Sequence, residues 1–112
     1  MKSESTPLGE FEQLILLAIL RLGDAAYGVS IRQEIAVHAR RTVAPGALYT
    51  TLERLEAKSL IASTMGEPTA IRGGRAKRFY QVTKKGRSRL LAAQSAFQRM
   101  LHGLELIGGN HG

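Results

Sequence analysis

The sequence predicts a mainly α-helical fold with one small β-hairpin: three helices, a two-stranded wing and a long closing helix. This is the layout of a winged helix-turn-helix with a C-terminal dimerisation helix. Three observations predict it. Apolar residues recur at helical spacing in four separate stretches. A glycine-rich basic loop separates two short β-prone runs late in the chain. Pro45 opens the third helical stretch, where its missing N–H would be unpaired in any case.

The first helix is expected over Leu8–Leu22, with Phe11, Leu14, Ile15, Ala18, Ile19 and Leu22 on one stripe. Leu16, Leu17 and Leu20 fill the other side, so this helix needs cover on more than one face. Another helix, from this chain or a partner, must supply it. Gly23-Asp24 ends it, and a second helix follows over Tyr27–Ala39 with Ile31, Ile35 and Ala39 inward. Arg40 to Val43 reads as an extended link. The third helix runs from Pro45 to Lys58, burying Leu48, Leu52 and Leu55 and leaving Gly46, Ala47, Thr50, Thr51 and Arg54 off that stripe.

Leu60–Met65 and Lys77–Val82 read as the two strands, with Tyr80 and Val82 on one face and Phe79 and Gln81 on the other. Thr83 is an N-cap residue for a last helix reaching Leu106. In it Leu90, Phe97 and Leu104 are seven apart, as are Ala93, Met100 and Ile107, which together make a short helix-packing seam. The expected organisation is a winged domain over 8–82 and a dimerisation helix over 83–107.

A chain of 112 residues suits one domain plus at most one extra element. Without cysteine it has no disulfide, thiolate metal site or cysteine nucleophile. The polar start lacks a signal-peptide pattern, and the longest apolar run, Leu14–Leu20, is far short of a membrane span. A cytoplasmic protein without a membrane partner is expected. His38, His102 and His111 have no metal-ligand spacing, and no Ser/His/acid set or paired-carboxylate site stands out. Neither an enzyme nor a cofactor is expected.

The net charge of +7 is unevenly placed. Residues 1–67 carry 7 basic and 8 acidic side chains, whereas residues 68–112 carry 9 basic and 1 acidic. Such a basic half attracts polyanions, although a solvated face would look the same by charge alone. Position decides between these readings. The third helix has a face of small and hydroxyl residues, Gly46, Ala47, Thr50 and Thr51, with Arg54 beyond them. Such a face enters a major groove without clashing and reaches base edges. Arg72, Gly73, Gly74, Arg75, Lys77 and Arg78 make a cationic wing whose glycines let backbone approach a duplex. Tyr27 and Arg32 lie where a second helix crosses the phosphate backbone. Tyr49 either reaches a phosphate or lies on the core with its hydroxyl exposed. The expected partner is double-stranded DNA. The alternative is a winged-helix protein-interaction module without specific DNA binding, which the basic wing and the uncluttered third helix disfavour.

Leu14–Leu20, Tyr27-Gly28, Pro45–Glu56, Gly73-Gly-Arg75, Phe79-Tyr80 and Thr83–Gly86 together resemble the PadR-like family of bacterial regulators, in its short size range. The resemblance covers roughly residues 8–92. It implies a transcriptional repressor acting as a homodimer joined through the first and last helices. Leu8, Phe11, Ile15, Leu90, Phe97, Met100, Leu101 and Leu104 would line that interface. It also implies a small apolar effector, as in some relatives. Two positions depart from the family pattern. Ala44 replaces the usual Ser before the proline, with Thr42 as a substitute cap, and Ser59 stands where a helix-ending Gly is usual.

Overall fold

The computed structural model describes residues 7–66 and 76–106. Four α-helices and one hairpin follow in the expected order: α1 (Glu10–Leu22), α2 (Gly28–His38), α3 (Pro45–Ala57), β1 (Ile61–Met65), β2 (Arg78–Val82) and α4 (Lys84–Leu101). A single 3-10 turn, Gly23–Ala25, joins α1 to α2.

The near-continuous apolar surface of α1 is covered mainly by its own chain. Ile15, Leu16, Ala18 and Ile19 are buried against a core that also holds Ile31, Ile35, Leu48, Leu52, Leu55, Leu60, Ile61, Tyr80 and Leu90. Leu17 is the most exposed leucine of α1, at 43%. The first turn of α1 is held by the Gly9 N–H, which donates to Glu12 Oε1 at 2.8 Å. In α2 the Tyr27 N–H donates to Ser30 Oγ at 3.0 Å.

The turn between α2 and α3 is strained at Arg40, a non-glycine residue at φ +54°. Arg32 Nε donates to the Val43 carbonyl at 2.9 Å and ties the turn back onto α2. No side chain caps α3, so Thr42 does not replace the hydroxyl lacking at Ala44. Pro45 at the helix start leaves one fewer N–H to satisfy. Past the end of α3, Ser59 takes the left-handed conformation at φ +64°, as the missing glycine predicted.

β1 and β2 pair antiparallel, with Ile61 opposite Val82 and Met65 opposite Arg78. The hairpin is anchored to the helices by a bridge between Tyr27 and Phe79, and the Tyr80 N–H donates to the Ala26 carbonyl at 2.9 Å. Thr83 then starts α4. Its Oγ1 donates to the Ser59 carbonyl (2.7 Å) and accepts from the Gly86 N–H (3.0 Å). Gly86 is buried, and a Cβ there would collide with the Leu60 carbonyl oxygen and lie 2.8 Å from Val82 Cγ1.

The closing helix is shorter than its pattern suggests. It ends at Leu101, with Gly103 at φ +83° just beyond, so Leu104 belongs to the tail and not to a helical seam. Ile107 lies outside the described residues. No helix among the described residues is long and apolar enough to cross a membrane.

Candidate nucleic-acid interface

The surface of interest is built on α3. Helical geometry sets Leu48, Leu52 and Leu55 inward, and Thr51 falls within the same arc. Thr51 is only 4% exposed, and its Oγ1 donates to the Ala47 carbonyl at 2.9 Å. The expectation that Thr51 faces outward is therefore corrected: it is a core residue whose hydroxyl is satisfied by the preceding turn. Pro45, Gly46, Ala47 and Thr50 are exposed, and nothing would crowd a Cβ at Gly46.

Arg54 is corrected in direction. Its Nε lies 3.5 Å from Glu12 Oε2, an oxygen that Lys58 Nζ also approaches at 3.8 Å. The Glu12 side chain is only 12% exposed, so the pair joins α3 to α1 along one flank of the exposed face of α3. Arg54 thus leans away from the centre of the open face. Arg32 is similarly engaged, its Nε bracing the turn through the Val43 carbonyl.

The other flank of α3 meets α2 and the wing. The Tyr49 phenol lies across the start of α2, where a Cβ on Gly28 would collide with its hydroxyl and lie 2.6 Å from Cζ. This close approach explains the Tyr27-Gly28 pair: only glycine leaves room for the ring. Tyr49 stays 45% exposed, so it packs on α2 while keeping one side open. Tyr27 does not stand free. Its ring meets Phe79 edge-on at 5.6 Å, and Lys77 Nζ sits 4.3 Å from its centroid. A cation is thereby held beside the N-terminus of α2, where helix dipole and amide groups already favour an anion.

At the root of the wing, Arg78 Nη1 donates to Ser63 Oγ (2.9 Å), and Ser63 Oγ donates to Glu56 Oε2 (2.8 Å). Tyr49, Glu53, Glu56, Arg78 and Tyr80 line a depression between α3 and the hairpin. Burial raises the Tyr80 pKa above its ordinary value, against the opposing pull of Arg78, so the phenol adds no charge there near neutral pH. Arg72, Gly73, Gly74 and Arg75 lie outside the described residues.

Reading the sequence for cations and small residues passes over two acids. Glu12 positions Arg54 and Lys58, and Glu53 stands on the open side of α3. For Glu53 the signal was available: it lies seven residues after Gly46 and three after Thr50, on the same helical line.

The residues expected at a dimer contact divide sharply. Leu8, Ile15 and Leu90 are buried in the protomer's own core and have little surface left for a partner. Phe11 is half-buried beneath the Arg41 guanidinium, 5.3 Å from its ring centroid, and Leu101 is half-buried too. Phe97, Met100 and Leu104 are 66%, 77% and 60% exposed, and Leu91 and Leu106 join them on the surface. Among the described residues no group of three or more His, Asp or Glu could hold a metal ion.

Comparison with known proteins agrees with this architecture. The profile of the "Transcriptional regulator PadR-like family" matches residues 16–92. The chain is 37% identical over 83 residues to the transcriptional regulator Rv3488 of Mycobacterium tuberculosis, covering 74% of this chain and 71% of that protein. Its fold is similar to that of a PadR-like transcription factor from Bacteroides fragilis, with a TM-score of 0.66 and 30% identity over 80% of this chain and 82% of the other. It is also similar to a PadR family transcription regulator from Clostridium difficile R20291, with a TM-score of 0.63 and 26% identity over 80% and 90% of the two chains. The fold, the matched span and the regulators it resembles agree, and the chain belongs to the PadR-like family of transcriptional regulators, not to a family of enzymes.

Proposed function

We propose that this regulator acts in the cytoplasm as a homodimeric repressor on double-stranded DNA. Each protomer would read half of an inverted repeat, with half-site centres about one helical turn, or a multiple of it, apart. The observation that carries this reading is the open side of α3. Gly46, Ala47 and Thr50 are exposed there and too small to clash with a groove wall, and Lys77 and Arg78 stand at the adjoining wing. Lys77 beside the α2 N-terminus suits one phosphate, and Arg78 with Tyr49 suits the next strand position. Arg72 and Arg75 add two positive charges to the sequence that joins the two strands.

We assign dimerisation to α4, whose exposed Phe97 and Met100 lie on one side of the helix and need an apolar partner surface. A small apolar effector would bind between these side chains and shift the spacing of the two reading heads. The test is fluorescence anisotropy with duplex DNA from upstream of the protein's own gene, against a scrambled duplex at near-physiological salt. A preference of about a thousandfold or more is expected for a specific regulator. Equal, salt-sensitive binding to both, together with no preferred site in a random-sequence selection, would sink the reading.

A further inference from the structure

The open side of α3 carries one charge at its centre, and it is negative. Gly46, Thr50 and Glu53 fall on one helical line, opposite Leu48, Leu52 and Leu55, and all three are exposed. Gly46 has no side chain and Thr50 is short and neutral. Glu53 is therefore the first long side chain that a duplex seated on this line would meet. Among the described residues no Lys, Arg or His lies within ion-pair distance of its carboxylate, and Arg78, which lines the same depression, is instead bonded to Ser63 Oγ. The neighbouring acid differs: Glu56 is engaged by the Ser63 hydroxyl.

An ionised carboxylate only accepts hydrogen bonds. In the major groove cytosine presents only a donor, its N4 amino group, whereas adenine sets its N6 donor beside the N7 acceptor, guanine presents N7 and O6 and thymine presents O4, all three acceptors. A carboxylate at this point therefore favours cytosine and repels guanine and thymine. It also opposes the phosphates in any register where no donor meets it. In a protein of net charge +7 this weakens indiscriminate binding more than operator binding.

We propose that Glu53 is a specificity-determining residue, selecting cytosine at one position of each half-site and suppressing binding to unrelated DNA. The inference rests on the DNA-reading role of α3 argued above. Its test is selection from a randomised duplex library with the full-length wild type and Glu53→Gln, followed by binding to single-base variants of the selected site. Glutamine keeps the size but pairs best with adenine N6 and N7. The expected result is a change of preference from cytosine to adenine at one position per half-site, the other positions being unaltered. Discrimination at that position should fall by about tenfold or more, and affinity for scrambled DNA should rise. Thermal melting of the variant should match the wild type, since Glu53 is exposed. If wild type and variant select the same base at every position, the inference is overturned while operator reading stands. If the wild type selects no site at all, the operator reading falls and takes this inference with it.

Discussion

α3 and the outer part of α4 are both amphipathic, but α3 buries its apolar face, whereas the outer part of α4 leaves its apolar face open along with its polar one. α3 turns its leucines inward and exposes Gly46, Ala47, Thr50 and Glu53. α4 is held at its root by Gly86 and Leu90, and from Leu91 onward it exposes large apolar side chains, Phe97 and Met100 among them. The difference separates two kinds of partner. A small, polar open face loses little on hydration and suits a wet, charged ligand such as a nucleic acid groove. An apolar stripe in water is unfavourable by about 25 cal/mol per Å² and suits a second protein surface.

The sharpest way to break this contrast is at the root of α4. Gly86→Val should bring a side chain against the Leu60 carbonyl and Val82, where backbone must move, and should destabilise the fold by about 3 kcal/mol. Urea denaturation reads this directly. A mutant as stable as wild type would mean that α4 does not pack where Gly86 puts it.

A milder change tests the outer half. Phe97→Asp removes an exposed apolar side chain, so the protomer's fold should be unaffected while self-association weakens roughly a hundredfold. Sedimentation velocity over a range of concentrations measures it, and an unchanged dimer would move the contact elsewhere.

The smallest expected effects come from two adjacent residues on α3. Thr51→Ala should cost about 1–2 kcal/mol of stability, because a buried, hydrogen-bonded side chain is lost. Thr50→Ala should leave stability within about 0.5 kcal/mol and weaken operator binding instead. Similar outcomes for both would erase the distinction between the two sides of the helix.

These threonines also mark where the sequence pattern stops specifying the fold. Element order was legible because Leu48, Leu52, Leu55 and their counterparts repeat at helical spacing, and Ser59 was legible as a left-handed residue from its place past a helix end. Thr51 was not, since a hydroxyl amino acid in a partly apolar arc can face either way until its hydrogen bond is known. Arg54 looked like a base reader because a long cation near a helix centre can swing to either flank. Glu12, forty-two residues earlier, decides which. Ile15 could have faced a partner or the core, and the cover supplied by this chain settles it. The end of α4 at Leu101 was hidden by a heptad pattern that continues past the last helical turn.

The joint between hairpin and closing helix has a mechanical consequence. Thr83 is the sole residue between β2 and α4, and it is bonded to Ser59 and Leu60, while Lys85 Nζ donates to the Lys58 carbonyl. There is no slack in this splice. The wing, the end of α3 and the base of α4 must tilt together, like a blade fixed to its handle. In the dimer proposed above, the angle at which two such handles meet would set how far apart the two blades fall along a duplex.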